Sequence, residues 1–150
     1  MTTPRIRETR VTALDTFIKL LRATSSVTSR VHGHLAGEKL TESQFGVLEA
    51  ISHLGPLCQR ELSAKILKTG GNITMVVDNL EKRGLVRRQR DAADRRVVHV
   101  HLTPEGKDVI RRVFPRQAES IEQEMGLLSD EEQVQLGALC KKLGLRLGRK

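Results

Sequence analysis

Between Cys58 and Gly106 the residue pattern changes from helix to helix to paired strands, and this order is the strongest constraint on the fold. Cys58–Leu67 has the spacing of a short helix, with Leu62, Ile66 and Leu67 inward. Lys68-Thr69-Gly70-Gly71 is a turn. A second helix, from about Asn72 to Arg83, buries Ile73, Val76, Val77 and Leu80, and Gly84 ends it. Val86–Arg90 and Val97–Thr103 then read as two strands joined by the loop Asp91–Arg95. In the second strand Val98, Val100 and Leu102 alternate with His99, His101 and Thr103, which predicts a half-buried strand with its histidines toward solvent. From Lys82 to Arg96, seven Lys/Arg stand against two Asp. A helix followed by a basic hairpin can set one element in a groove of duplex DNA and the other on the flanking backbone.

Composition points the same way. The chain has 150 residues, a formal net charge of +8 and a hydrophobic fraction of 38%, enough for one domain with a modest core. Such a charge favours polyanions, nucleic acid before a membrane surface. There is no Trp or Tyr and only three Phe, which argues against base-stacking modules for single strands. No apolar run approaches the ~18 residues of a membrane span, and no secretory leader is read at the N-terminus. Cys58 and Cys140 form neither a disulfide framework nor a metal motif, so a reducing cytoplasm is expected. His32 with His34, and His99 with His101, lack carboxylate or thiol neighbours at ligand spacing, and neither a metal nor a cofactor is expected. Without a phosphate loop or a nucleophile–base arrangement, an enzyme is not expected either.

The flanks read as long helices. Residues 1–9 are read as frayed. From about Val11 to Ala36, Leu14, Phe17, Ile18, Leu21, Val27, Val31 and Leu35 recur mostly at steps of three and four, and Thr24-Ser25-Ser26 is a weak point where the helix could bend. Thr41 and Gln44 have capping-box spacing ahead of a helix that stops near Leu54-Gly55-Pro56. Thr103-Pro104 starts another helix that reaches about Met125, with Pro115 expected to bend or break it. Ser129 and Glu132 form a second capping box. The last helix runs to about Leu147, with Leu136, Leu139, Leu143 and Leu147 on one face and Cys140 read as a buried small hydrophobe. Two such apolar stripes, at opposite ends of the chain, either pair with a second copy or pack on each other within one chain.

Several of these segments together resemble the MarR family of bacterial transcriptional regulators. They are Leu40–Ala50, Arg60-Glu61-Leu62, Val77–Val86, Asp91, Asp94-Arg95-Arg96 and Leu102-Thr103-Pro104-Glu105-Gly106, in order over about residues 11–147. The Asp-x-Arg of the hairpin and the Leu-Thr-x-x-Gly after it are the most specific pieces. The resemblance implies a mainly α fold with a small β wing: a winged helix-turn-helix with long N- and C-terminal dimerisation helices. The implied organisation is residues 1–36 and 107–150 for dimerisation around a DNA-binding lobe at 37–106, all in one intertwined domain. It implies a homodimer on a palindromic operator, usually repressing. Gly71, Asn72, Thr74, Met75 and Asn79 would lie on the outward early turns of the recognition helix. Asn72 could read adenine, and Thr74 could meet a phosphate or a thymine methyl. Arg96 would be the wing arginine oriented by Asp94, with Arg95 able to take that role instead. Arg87, Arg88 and Arg90 would add backbone contacts, although alternation points one or two of them away from DNA.

Many members of that family respond to a small aromatic acid, phenol or drug, and others to cysteine oxidation. Cys58 sits at a helix N-cap beside Arg60, a setting that lowers a thiol pKa, so it is the candidate redox sensor. The functional expectation is a repressor released by a small aromatic ligand or by oxidation. The alternative is an architectural DNA-binding protein with no effector.

Overall fold

The computed structural model describes residues 3–66 and 73–148. Helix α1 spans Thr3–Val31 and is followed by a 3-10 helix, Gly33–Glu38. Then come α2 (Glu42–Leu54), strand β1 (Leu57–Cys58), α3 (Gln59–Lys65) and α4 (Ile73–Lys82). Strands β2 (Val86–Arg90) and β3 (Val98–Leu102) precede α5 (Pro104–Met125) and α6 (Asp130–Gly144). The fold is mainly α with a small antiparallel sheet, ordered β1-β3-β2. Contacts divide the chain into two compact units: residues up to 31 together with those from 119 on, and residues 32–118.

The second unit holds the core. Phe45, Val47, Leu48 and Ile51 of α2 pack with Leu62 of α3, Val77 and Leu80 of α4, Val86, Val100, and Ile110 and Val113 of α5. Local chemistry sets the element ends. The Thr41 hydroxyl accepts from Gln44 N at 3.1 Å while Thr41 N donates to the Gln44 side chain at 3.1 Å, closing the capping box. Gly84, at φ 71°, turns the chain out of α4 into β2, a backbone angle that favours glycine. Leu62 is fully buried and Ile66 packs beside the core, as the sequence predicts.

The hairpin register is Val86↔Leu102, Arg87↔His101, Arg88↔Val100, Gln89↔His99 and Arg90↔Val98. A third strand, β1, was not expected: Leu57 and Cys58 pair with Val100 and His99. Cys58 is therefore both a strand end and the residue that caps α3, its N–H donating to the Glu61 carboxylate at 3.1 Å. His99 and His101 are half-buried rather than solvent-facing, because α2 and α5 flank the outer face of the hairpin where His101 lies.

The terminal helices depart from the sequence expectation at the ends of α1 and at Cys140, and neither α1 nor α5 is broken. The first helix starts at Thr3 and ends at Val31, so the N-terminal residues read as frayed are helical from Thr3 and the segment after Val31 is a 3-10 turn. It runs unbroken through Thr24-Ser25-Ser26, where the Thr24 hydroxyl donates to the Leu20 carbonyl at 2.8 Å and the Thr28 hydroxyl to that of Thr24. Helix α5 continues through Pro115. Pro115 and Arg111 are both exposed, so this stretch lies on the outer side of the helix, where water can serve a carbonyl that loses its partner. Cys140 is exposed, on a helix with no buried residue.

Within the first unit the apolar stripes stay uncovered in a single chain. Val11, Leu14, Phe17 and Leu21 on α1 and Val134, Leu136, Leu139 and Leu143 on α6 are all exposed. An ion pair, Arg30 Nε to Glu124 Oε2 at 2.8 Å, joins α1 to the end of α5.

The junction from β3 to α5 explains the Leu-Thr-x-x-Gly segment. The Thr103 hydroxyl donates to the Gly84 carbonyl at 2.6 Å and accepts from Gly106 N at 3.0 Å, while Thr103 N donates to the Leu85 carbonyl at 3.1 Å. One threonine thus caps α5 and ties it to the turn after α4. A Cβ on Gly106 would lie 2.0 Å from the Leu85 carbonyl oxygen, so only glycine allows this approach. Alanine ordinarily favours a helix over glycine by about 1 kcal/mol, but overpacking against backbone costs about 1–3 kcal/mol or more. Gly106→Ala is therefore expected to lower the unfolding free energy by about 2 kcal/mol in urea titration. An unchanged or raised midpoint would contradict the clamp.

Candidate nucleic-acid interface

Strand phase determines which arginines of the hairpin are available. Val86 is buried against the core, and alternation puts Arg88 on the same face. The Arg88 guanidinium is only 23% exposed. It pairs with Asp78 Oδ1 at 2.6 Å and Glu81 Oε1 at 3.1 Å, both on α4. It also donates to Gln59 Oε1 of α3 from Nη2 at 3.1 Å and Nε at 3.3 Å. The Arg88 N–H donates to Glu81 Oε2 at 2.9 Å. Gln59 in turn donates from Nε2 to the Thr74 hydroxyl at 3.0 Å. Arg88 is thus a fastener between helix pair and sheet, not a free cation. Of the three arginines that strand alternation was expected to divide, Arg88 is one that turns inward.

Arg87 and Arg90 are exposed. Arg90 Nη1 donates to the Arg95 carbonyl at 2.9 Å, steadying the tip. At that tip the Asp91 carboxylate accepts from Ala93 N at 2.7 Å and Asp94 N at 3.1 Å, and Asp91 N donates to the Val97 carbonyl at 2.8 Å. Asp94 receives Arg96 in a fork, Nε to Oδ1 at 3.0 Å and Nη2 to Oδ2 at 3.2 Å, and its Oδ1 also accepts the Arg96 N–H at 3.1 Å. The Arg96 side chain is nonetheless 91% exposed. Arg95 is exposed as well. The tip is a short turn built by two aspartates that displays two guanidiniums outward.

Both aspartates titrate below the ordinary carboxylate range. For Asp91 the chief causes are the N–H groups of Ala93 and Asp94; for Asp94 they are the Arg96 side chain and then the Arg96 N–H. What these depressed carboxylates contribute to the turn is present above their ordinary pKa and is lost only as pH falls through their lower folded values. The tip therefore keeps its charge pattern at neutral pH.

On α4, Thr74, Met75 and Asn79 are exposed, with Met75 at 59%. Gly71 and Asn72 lie outside the described residues. Cys58 is half-buried. Pattern reading missed the Gln59–Arg88–Asp78/Glu81 cluster, although the phase set by Val86 was the signal that could have revealed it.

A second feature of the same unit is a cleft of about 510 Å³ between the end of α2, the outer face of the hairpin and the first turns of α5. Arg87, His101, Lys107 and Arg111 line it, over an apolar floor that includes Ile51 and Ile110. The His101 imidazole titrates below its ordinary value, chiefly because burial disfavours its cation and then because of the Arg87 and His99 charges.

Removing the Arg88 fork would leave the Asp78 and Glu81 carboxylates unpaired. Hydrogen bonds to charged groups contribute about 1.5–3 kcal/mol, discounted here because the two partners are 48% and 42% exposed. Arg88→Ala is expected to lower the unfolding free energy by about 1–2 kcal/mol, with Arg88→Lys intermediate because an ammonium cannot span three partners. Equal stability of the parent and the alanine variant in urea would contradict this role.

Comparison with known proteins places this arrangement. The model of the MarR family matches residues 40–98, which includes α2–α4 and the wing tip. The transcriptional regulator MhqR of Bacillus subtilis is 34% identical over 133 residues, covering 89% of this chain and 92% of that protein. The transcriptional repressor MprA of Escherichia coli is 38% identical over 87 residues, 58% of this chain and 49% of that one. Among solved structures, BpsR of Bordetella bronchiseptica, whose DNA binding is regulated by 6-hydroxynicotinic acid, superposes with a TM-score of 0.75. It is 27% identical, covering 83% of this chain and 89% of that one. With its helix pair, three-stranded sheet and basic hairpin, the chain belongs to the MarR family of transcriptional regulators.

Proposed function

We propose that this regulator is a homodimeric repressor that binds a palindromic operator in duplex DNA and is released by a small aromatic acid. The observation that carries the DNA reading is the wing tip. Arg96 is held in a fork by Asp94 yet its side chain stays largely in solvent, in the same unit as the exposed face of α4. A guanidinium on a hairpin tip suits the negative potential of a narrow minor groove, while α4 enters the adjacent major groove. Arg95 adds a second cation there, and Arg87, with Gly71 and Asn72 before α4, completes the set that the family likeness assigns to DNA. Two copies would cover the exposed stripes of α1 and α6 and set the two α4 helices about 34–36 Å apart, one turn of duplex. The repressor reading leans on the name of MprA.

Operator binding tests this. Arg96→Ala is expected to weaken it by about 1–3 kcal/mol per half-site, the range of a good groove contact, while binding by the parent falls steeply with salt as counterions are released. Sedimentation should give a dimer at micromolar concentration. A flat salt dependence or a stable monomer would defeat the proposal.

The aromatic acid reading rests on the cleft beside the hairpin. Four basic side chains over an apolar floor suit a planar ring bearing a carboxylate, the ligand class named for BpsR. An anion there would offset the influences that depress His101. His101 should therefore titrate higher in the bound form than in the free form, so binding takes up a proton and tightens as pH falls between those two values. NMR titration of His101 with and without 6-hydroxynicotinate or a hydroxybenzoate measures the shift, and release of DNA by the same compounds should survive Cys58→Ser. If no compound moves His101 or releases DNA, the alternatives gain: oxidation at Cys58 if peroxide releases the parent but not Cys58→Ser, and an architectural protein if nothing does.

A further inference from the structure

Helix α4 has ten residues, and the structure accounts for most of their side chains without DNA. Val77 and Leu80 are buried, and Ile73 and Val76 pack against the core. Asp78 and Glu81 are held by Arg88. The Thr74 hydroxyl receives Gln59. Arg83, just past the helix, donates to the Lys39 carbonyl at 2.7 Å. Left facing outward from the body of the helix are Met75 and Asn79. They stand four residues apart, which places them on one face with Cβ atoms about 6 Å from each other.

Single exposed hydrophobic side chains are common and carry no message alone. Here the message is in the pairing and in what is missing beside it. Each base pair shows a distinct pattern in the major groove: adenine offers N7 and the N6 amino group to an amide, and thymine offers its C5-methyl to an apolar side chain. Asn79 has the first complement and Met75 the second. Guanine calls for an arginine or lysine, and the sole cation of α4 is Lys82, at its last residue. Cytosine calls for a carboxylate on its amino group, and both carboxylates of the helix are tied to Arg88. With a rise of about 3.4 Å per base pair, side chains about 6 Å apart address positions one or two steps apart.

We propose that Met75 and Asn79 make α4 a reader of A·T pairs, with Met75 detecting the thymine 5-methyl group and Asn79 the adenine edge within one or two steps of it. The inference rests on the reading of the chain as an operator-binding regulator and adds what that operator contains.

The test starts from duplexes selected by the full-length protein from a random pool. Each thymine of the selected half-site is then replaced in turn by uracil, which removes only the methyl. At one or two positions the parent should lose about fourfold in affinity, the value of one buried methylene-sized group. Met75→Ala should bind the thymine and uracil duplexes alike at those positions while remaining sensitive at the others. Replacing adenines by 7-deazaadenine should give the matching result for Asn79→Ala. If the parent binds every uracil duplex as tightly as its thymine counterpart, or if Met75→Ala keeps the full thymine preference, the proposal is overturned. Selected half-sites without a shared A·T pair would overturn it too. If the pool yields no enriched sequence at all, the operator reading fails instead, and the two failures are distinct.

Discussion

The Arg88 fork is the interaction on which the arrangement of α3, α4 and the hairpin depends. It reaches α3 through Gln59, α4 through Asp78 and Glu81, and the sheet through its own backbone. Helices α3 and α4 are short, 7 and 10 residues, and helices of that length do not hold themselves in water. Apolar packing of Leu62, Val77 and Leu80 fixes their distance from the core. Packing alone does not fix rotation about the helix axis, because aliphatic contacts are non-directional. A planar guanidinium with partners on two helices does restrict it. The direction in which Met75 and Asn79 point is therefore tied to an arginine that touches neither.

The Thr103–Gly106 junction does the equivalent work on the other side. By binding the carbonyls of Gly84 and Leu85, it connects the end of α4, the start of β2 and the start of α5 through one threonine and one close approach. Both devices act through backbone groups and charge, so both are specific in geometry where the core is specific only in volume. The Leu-Thr-x-x-Gly segment thus has a structural reason of its own, the tie between α4, β2 and α5.

Most of the fold was legible because its elements carry strong local signals. The capping boxes at Thr41 and Ser129 and the glycine at 84 each state one local conformation, and each holds, while the period-two pattern of β3 marks a strand whose burial does not alternate as expected. What was not legible depended on contacts distant in sequence. A two-residue strand such as Leu57–Cys58 has no periodicity to detect and exists only because β3 offers an edge. Pro115 signals a break wherever its lost hydrogen bond must be made good by protein, but on an exposed face water can do so. His101 looks outward by alternation, yet α2 and α5 flank that face. At the site, the aspartate and arginine of the wing were legible as a pair because they are two residues apart. Alternation said that one or two of Arg87, Arg88 and Arg90 turn away, but not that Arg88 does so, because its partners lie on other elements.

The two ion-pair clusters share a logic that net charge conceals. A charge of +8 describes the whole chain, but a polyanion meets a surface, not a sum. Every carboxylate left facing a phosphate backbone would oppose association, so acidic residues near such a surface must either be absent or be paired within the protein. Here they are paired. Asp78 and Glu81 hold an inward arginine, and Asp91 holds the N–H groups of a turn. Asp94 holds the base of Arg96 while leaving most of that side chain in solvent. Acidic groups shape the hairpin and the helix pair, and around them Arg87, Arg90, Arg95 and most of Arg96 remain exposed. A lobe built in this way presents positive charge in a fixed geometry, and fixed geometry separates recognition of a site from attraction to DNA in general.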